Sequence, residues 1–151
     1  MYVREFTAFF KRLLILYPGA LNLKSAKKGC ILFVDDEELV LLSGANLLRS
    51  MSYEVISASD GMEALDLYNR DKEKISLAII DLIMPKISGL ELFGMLKKIN
   101  PGLEIILCSG LCTEETEYEV LNSGASAVIM KPYTSADLSS VLEKIEKKKT
   151  A

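Results

Sequence analysis

The chain has 151 residues, half of them hydrophobic, which is enough for one compact domain and too few for two of ordinary size. It contains no histidine, which excludes hydrolases that depend on a histidine base and zinc sites with histidine ligands. The net charge is −3 but uneven: residues 1–29 are basic and residues 30–147 are strongly acidic, which argues against direct nucleic-acid binding by that larger part.

The cysteines and the apolar runs indicate a cytoplasmic protein. The chain has three cysteines, Cys30, Cys108 and Cys112. An odd number without the regular spacing of a disulfide framework suits a reducing compartment. A metal shared by Cys108 and Cys112 is less favoured than buried thiols. Apolar runs fall short of the ~20 residues of a membrane-spanning helix, and the N-terminal "LLIL" is short for an export signal.

Residues 1–17 are predicted to form an amphipathic helix, which Pro18-Gly19 ends, and a lysine-rich linker follows over residues 22–29. The apolar residues of the predicted helix recur at three- and four-residue steps: Val3, Phe6, Phe9, Phe10, Leu13, Leu14 and Tyr17. Such an aromatic face needs a cover. It could pack on the rest of the chain, pair with a second chain in a homodimer, belong to an upstream domain, reflect start-site choice, or lie on an anionic membrane. Protein contact is favoured over membrane.

From Cys30 onward, short apolar runs alternate with helical patterns. The runs "CILFV", "EVISA", "LAII", "EIILC" and "AVIM" are typical of strands, and they are continuous, as in strands buried on both faces. Helical patterns occupy roughly residues 38–50, 61–70, 88–99, 113–123 and 135–147. Five strand–helix repeats predict an α/β fold with a doubly wound, five-stranded parallel sheet.

Polar side chains follow four of the predicted strands. The carboxyl ends of parallel strands lie along one sheet edge, so we expect these side chains to converge there. They are Asp35, Asp36 and Glu37 after the first strand, Asp81 at the end of the third, Ser109 at the end of the fourth and Lys131 after the fifth.

The residue types at this edge indicate a particular chemistry. Clustered carboxylates repel one another unless a cation neutralises them. Oxygen ligands without histidine suit Mg²⁺, which often shares its site with phosphate. A lysine and a hydroxyl could bind further phosphoryl oxygens, and an aspartate can form an acyl phosphate. The sequence therefore predicts a magnesium-assisted phosphoryl acceptor.

The segments that carry these residues resemble a known family. "ILFVDDEE", "IIDLIMPKISGLEL", "LCSG" and "GASAVIMKPY" are similar, in this order, to the motifs of the response-regulator receiver domain of two-component signalling. The resemblance covers residues 30–147 and implies a flavodoxin-like strand order of 2-1-3-4-5. The predicted organisation is an N-terminal helix and linker over residues 1–29, the receiver domain over 30–147, and a basic tail over 148–151.

The resemblance also implies roles for individual residues. Asp81 would accept phosphate from the phosphohistidine of a histidine kinase or histidine phosphotransfer protein. Asp36 would bind Mg²⁺ directly, with Asp35 close by and often acting through water. Asp81 and the backbone carbonyl of Ile83 would complete the protein ligands.

Two further residues would bind the phosphoryl group: Ser109 would hydrogen bond to it and Lys131 would pair with it. The Lys131–Pro132 bond is commonly cis in the family. Many members carry an aromatic residue where this chain has Val128, so the chain departs from the family at the position of the usual aromatic readout.

Two apolar residues stand where family members frequently have polar groups. They are Ile83, two positions after Asp81, and Leu111, two after Ser109. We predict that they shield the acyl phosphate from water and slow its loss.

Simpler interpretations remain for single residues. Asp35, Asp36 and Glu37 could only cap the next helix, Ser109 could be a turn residue, and Lys131 could be a solvated charge. The acidic helix with Glu114, Glu115, Glu117 and Glu119 could be a solvated face, or part of the surface that meets downstream partners.

The sequence favours a switch over an enzyme that turns over a separate substrate. We expect no DNA-binding output module beside a receiver domain in 151 residues, and therefore output through protein contacts or phosphate relay. The alternatives are a phosphatase with an aspartyl nucleophile and a pseudo-receiver that binds partners without phosphorylation.

Overall fold

The computed structural model describes residues 27–151, which form a five-stranded parallel sheet with helices on both faces. The sheet order is β2-β1-β3-β4-β5, which confirms the predicted doubly wound fold. The strands are β1 (Cys30–Val34), β2 (Glu54–Ala58), β3 (Ile75–Asp81), β4 (Glu104–Ser109) and β5 (Ala127–Met130). The helices are α1 (Glu38–Ser50), α2 (Gly61–Asp71), α3 (Gly89–Ile99), α4 (Glu114–Asn122) and α5 (Ser135–Thr150). The predicted N-terminal helix lies outside the described residues.

Two hydrophobic clusters hold the helices to the sheet, because successive strand side chains point to opposite faces. Along β1, Leu32 and Val34 join the cluster that packs against α2, α3 and α4. Ile31 and Phe33 join the other cluster, which packs against α1 and α5. The sheet is therefore covered by three helices on one face and two on the other.

Burial differs between the central and the edge strands. Every residue of β1 is buried, and β3 and β4 each have a single residue that is not. The edge strands are less buried: three of the five residues of β2 and two of the four residues of β5 are half-buried. The expectation of strands buried on both faces thus holds for the three central strands, because a neighbour on each side keeps solvent away from them.

Local side-chain contacts define the helix starts. Side chains of the N-cap residues of α2 to α5 accept a hydrogen bond from a backbone N–H of the first turn; they are Asp60, Ser88, Thr113 and Thr134. Glu37, at the start of α1, makes no such bond. The last helix continues through Thr150, so Lys148 and Lys149 occupy its final turn, where positive charge complements the helix dipole.

Within residues 27–151, every helix is too short or too polar to cross a lipid bilayer.

Candidate functional site

Asp81 is the last residue of the central strand β3 and is only 6% exposed. The next residue continues the sheet contact, since the Leu82 N–H donates to the Cys108 carbonyl at 2.8 Å. One carboxylate oxygen of Asp81 accepts a hydrogen bond from the Ile83 N–H at 3.2 Å. The strand and its loop therefore hold the Asp81 carboxylate in a defined position at the carboxyl edge of the sheet.

Lys131, directly after β5, bridges two of the acidic residues. Its ammonium lies 2.7 Å from Asp35 Oδ2 and 2.9 Å from Asp81 Oδ2. Burial alone would lower the pKa of Lys131, but the hydrogen bonds to Asp35 and Asp81 outweigh it and raise the pKa above its ordinary value. Lys131 is therefore a paired cation of the site and not the solvated charge of the simpler interpretation.

Asp35, Asp36 and Asp81 form the acidic cluster of the site. Asp35 is 1% exposed, whereas Asp36 faces solvent. Each offers a carboxylate oxygen, and these oxygens all lie within 4.8 Å of one another. Within residues 27–151 this is the one group of three acidic or cysteine side chains close enough to share a metal ion.

The cluster fits Mg²⁺ by its chemistry. All of its donors are oxygens, which a hard divalent cation prefers, and one carboxylate is open to solvent, so that water can complete the coordination. Lys131 offsets part of the negative charge of the two buried carboxylates, and the remaining charge favours a cation. Asp35, Asp36 and Asp81 are thus the residues that could hold the ion.

The start of α1 does not support the interpretation of this acidic run as helix caps alone. Glu37 provides no side-chain cap, and Asp35 instead accepts a hydrogen bond from the Glu37 N–H at 3.0 Å. The second oxygen of Asp35 is bound to Lys131. The carboxylate of Asp35 is therefore held by the Glu37 N–H and by Lys131, and it is part of the site.

Ser109 ends β4 and is fully buried, but its hydroxyl is engaged locally. It donates to the Leu111 carbonyl at 2.7 Å and accepts from the Leu111 N–H at 3.0 Å. The structure thus brings Ser109 to the same sheet edge as Asp81, with its hydroxyl directed to the loop after β4.

An open cleft of about 400 Å³ gives access to Asp81. Ile83 and Leu111 line it, with 61% and 83% of their surface exposed. Glu37, which the sequence predicts at this sheet edge, also lines it, as does Gly110, to which the sequence prediction assigned no role. The position of Gly110 directly after Ser109 was the available signal, because loops that follow neighbouring strand ends meet at one edge.

The loop between β3 and α3 is packed closely on the strand. The Gly89 N–H donates to the Leu82 carbonyl at 3.0 Å, and a Cβ on Gly89 would lie 2.0 Å from the Asp81 carbonyl oxygen. On the other side of the site, the Lys131–Pro132 peptide bond is cis, as the resemblance implies. Only glycine fits position 89 without displacing the backbone of the site.

Neither thiol belongs to the acidic cluster, although Cys108 lies beside Asp81 in the sheet. Cys108 is buried in β4, and burial raises the pKa of its thiol to about 12. Cys112 is half-buried in the following loop, and burial also raises the pKa of its thiol. Both groups are therefore protonated near neutral pH, which is unfavourable for metal binding.

Comparisons with known proteins agree with this site and fold. Residues 31–143 match the response regulator receiver domain. The chemotaxis protein CheY of Thermotoga maritima is 29% identical over 118 residues, which are 78% of this chain and 97% of that protein. A probable transcriptional regulator, ycf27, of Porphyridium aerugineum is 34% identical over 80% of this chain, but the match covers only 51% of that protein.

A solved structure has the same architecture. A response regulator receiver domain protein from Clostridium thermocellum superposes with a TM-score of 0.76 at 32% identity, covering 81% of this chain and 98% of that one. The match spans three quarters of the chain and includes the strand ends that carry the acidic cluster and Lys131. The chain therefore belongs to the response-regulator receiver domains, the signalling modules of two-component systems.

Proposed function

We propose that this protein is a phosphorylation-dependent switch whose phosphoacceptor is Asp81. The observation that carries the proposal is the position of the Asp81 carboxylate, which is bound to Lys131, lies within the acidic cluster and borders an open cleft. The phosphodonor would be the phosphohistidine of a histidine kinase or of a histidine phosphotransfer protein.

In the proposed transfer, a carboxylate oxygen of Asp81 attacks phosphorus. The phosphorus–nitrogen bond of the donor breaks, and its electron pair stays on the imidazole nitrogen as the imidazole leaves. The product is an acyl phosphate on Asp81, and no redox partner is needed. The buried strand β3 supports this step because it holds the nucleophile in place while the cleft admits the donor.

The negative charge of the phosphoryl group would be neutralised in two ways, by Mg²⁺ held at the acidic cluster and by Lys131. Asp35, Asp36 and the Asp81 carboxylate would hold Mg²⁺, together with the backbone carbonyl of Ile83. When bound, Mg²⁺ supplies positive charge against the phosphoryl oxygens. Lys131 already lies 2.9 Å from Asp81 and would pair with a phosphoryl oxygen.

Ser109 is the proposed moving part. In the structure its hydroxyl binds the backbone of Leu111, and after phosphorylation it would turn to donate to the phosphoryl group. The exchange of partners would pull on the loop between β4 and α4 and shift a pre-existing equilibrium. The position that often carries the aromatic partner of this movement holds Val128, so the hydroxyl is the switch element that this chain retains.

The proposed output is contact with a downstream protein. The described domain carries an acidic surface on α4, which is unsuited to nucleic acid. The protein would turn over only its own phosphoryl group. A phosphatase would need a second acid or base beside its nucleophile, and Asp81 is followed by Leu82 and Ile83.

The test is incubation with acetyl phosphate and Mg²⁺, followed by intact-mass measurement. The wild type should gain one phosphoryl group, and the adduct should be absent in Asp81→Asn and after chelation of the metal. Asp66→Asn, an exposed aspartate of α2, is the matched control and should label like the wild type.

Each alternative gives a different result. Labelling of Asp81→Asn would show that another residue is the acceptor. Continued multiple turnover of a phosphomonoester would indicate a phosphatase. Absence of any adduct on the folded wild type would indicate a pseudo-receiver.

A further inference from the structure

An apolar groove lies between α4 and α5 at the free edge of the sheet. Its volume is about 540 Å³, and β5 forms its floor. Its apolar lining consists of Leu121, Ala127, Val128, Val141 and Ile145. Leu121 remains 40% exposed, and Ala127, Val128 and Val141 are half-buried. This groove is separate from the cleft at Asp81 and has no part in the phosphoryl chemistry.

The walls of the groove carry opposite charges. Glu117 lines it from α4, whose other glutamates are also exposed. Lys144, Lys147 and Lys148 line it from α5. An occupant of this groove therefore needs an apolar stripe and a basic flank toward α4.

The described chain begins beside the same end of α5. The Lys28 N–H donates to the Ser52 carbonyl at 3.1 Å, and the Lys28 ammonium lies 3.8 Å from Glu146. Lys27 forms an ion pair with Glu54 at 3.1 Å. These contacts place the start of the described chain beside Glu146, on the side of α5 that faces away from the groove.

We propose that residues 1–17 of the same chain dock in this groove as an amphipathic helix. Their sequence provides the required stripe, with apolar residues at helical spacing from Val3 to Tyr17. Arg4 and Lys11 are seven residues apart, which places them on one side of such a helix, where they can face the acidic wall of α4.

The linker is long enough for this docking. Residues 18–26 can span up to about 30 Å when extended. The distance to cross is about 14–19 Å, because residues 27–29 lie at β1 and β2, which are three and four strands away from β5, and neighbouring strands are about 4.8 Å apart. A short tether also favours docking within the chain over docking between chains, since it raises the effective concentration of the segment.

The docked segment covers half-buried Val128 and the surface of α4 and α5. A protein partner that uses this surface would have to displace residues 1–17 first. The segment is therefore a built-in competitor for one interaction face, and this proposal holds whether or not Asp81 is the phosphoacceptor.

The test is methyl NMR spectroscopy of the full chain, comparing wild type with Phe10→Glu. Phe10 lies in the middle of the predicted apolar stripe, and Ala8→Glu places the same charge on the opposite side of the helix as a matched control. In Phe10→Glu the methyl resonances of Leu121, Val128 and Val141 should shift several-fold more than those of Val40 and Leu47, which line a different groove. In Ala8→Glu they should stay in place.

The resonances of buried Ile79 show whether each variant is folded. Equal and small shifts in both grooves would overturn the proposal. The proposal would also be overturned if, on dilution of the wild type, the methyl resonances of Leu121, Val128 and Val141 moved to their positions in Phe10→Glu. The occupant of the groove would then be the segment of a second copy. Coincident spectra of wild type and Phe10→Glu, together with binding of the chain to anionic phospholipid vesicles, would identify a membrane-surface helix instead.

Discussion

Gly89 lies against the backbone of Asp81 so closely that a Cβ at position 89 would be 2.0 Å from the Asp81 carbonyl oxygen. The first residue of α3 and the last residue of β3 are thus in direct backbone contact. The contact couples the start of a helix to the residue that we propose as the phosphoacceptor.

Gly89→Ala should destabilise the domain by about 1–3 kcal/mol, because a rigid backbone must move to relieve the overlap. The measurement is the free energy of unfolding in urea. Gly94→Ala is the control, since position 94 lies in the same helix and a Cβ there meets nothing within 4 Å. It should be neutral or stabilise by up to about 1 kcal/mol, because alanine has the higher helix propensity. Equal effects of the two substitutions would contradict the close packing.

Lys131→Met should destabilise the protein by about 2 kcal/mol near neutral pH, because two buried carboxylates then lose their shared cation. Lys86→Met is the matched control: its ammonium is exposed and lies 3.5 Å from Asp60, so its loss should cost less than about 0.5 kcal/mol. Mg²⁺ should stabilise Lys131→Met more than the wild type, since the added cation offsets the same repulsion. A Lys131→Met protein as stable as Lys86→Met would contradict this account.

Ile83 and Leu111 should slow hydrolysis of the acyl phosphate, since both line the cleft at Asp81 with apolar surface. Replacing both with asparagine should shorten the half-life of the phosphorylated protein several-fold, because polar side chains can hold water near the phosphoryl group. The measurement is loss of the phosphoryl mass after removal of acetyl phosphate. Leu39→Asn, at an exposed position of α1, serves as control. A wild-type half-life of seconds would rule the shielding out.

Three carboxylates at helix starts should make the protein sensitive to acid. A hydrogen bond from a backbone N–H lowers the pKa of Asp60, Glu91 and Asp137. Because each pKa is lower in the folded state, the stabilisation is complete above the unfolded value, about pH 4, and is lost as the pH falls through the folded value.

The urea midpoint should therefore fall less between pH 6 and pH 3 in the triple variant Asp60→Asn, Glu91→Gln, Asp137→Asn than in the wild type. A second triple variant, Glu73→Gln, Glu115→Gln, Glu119→Gln, changes the net charge by the same amount at exposed positions. Its pH dependence should stay closer to that of the wild type. Identical profiles for the two variants would show that net charge alone is responsible.

The sequence by itself determined the order of the strands and helices and the sheet that they form. Continuous apolar runs that alternate with helical patterns predict a parallel sheet covered by helices. This sheet is present, with the order β2-β1-β3-β4-β5. It also indicated the candidate residues, because Asp81, Ser109 and Lys131 follow apolar runs where a strand must end. Local pattern was sufficient for the helices, the strands and the residues at strand ends, since each of these depends on neighbours in the chain, whereas the strand order within the sheet was implied by the family resemblance.

The tertiary structure decided which of these groups touch. Lys131 bridges Asp35 and Asp81, residues 96 and 50 positions away, and the hydroxyl of Ser109 binds Leu111 and not the acidic cluster. It also decided that Gly89 has no room for a Cβ and that a groove lies open between α4 and α5. These features depend on how distant strands and helices pack, because side-chain contacts across a sheet are set by the surrounding volume and charge and not by the local sequence.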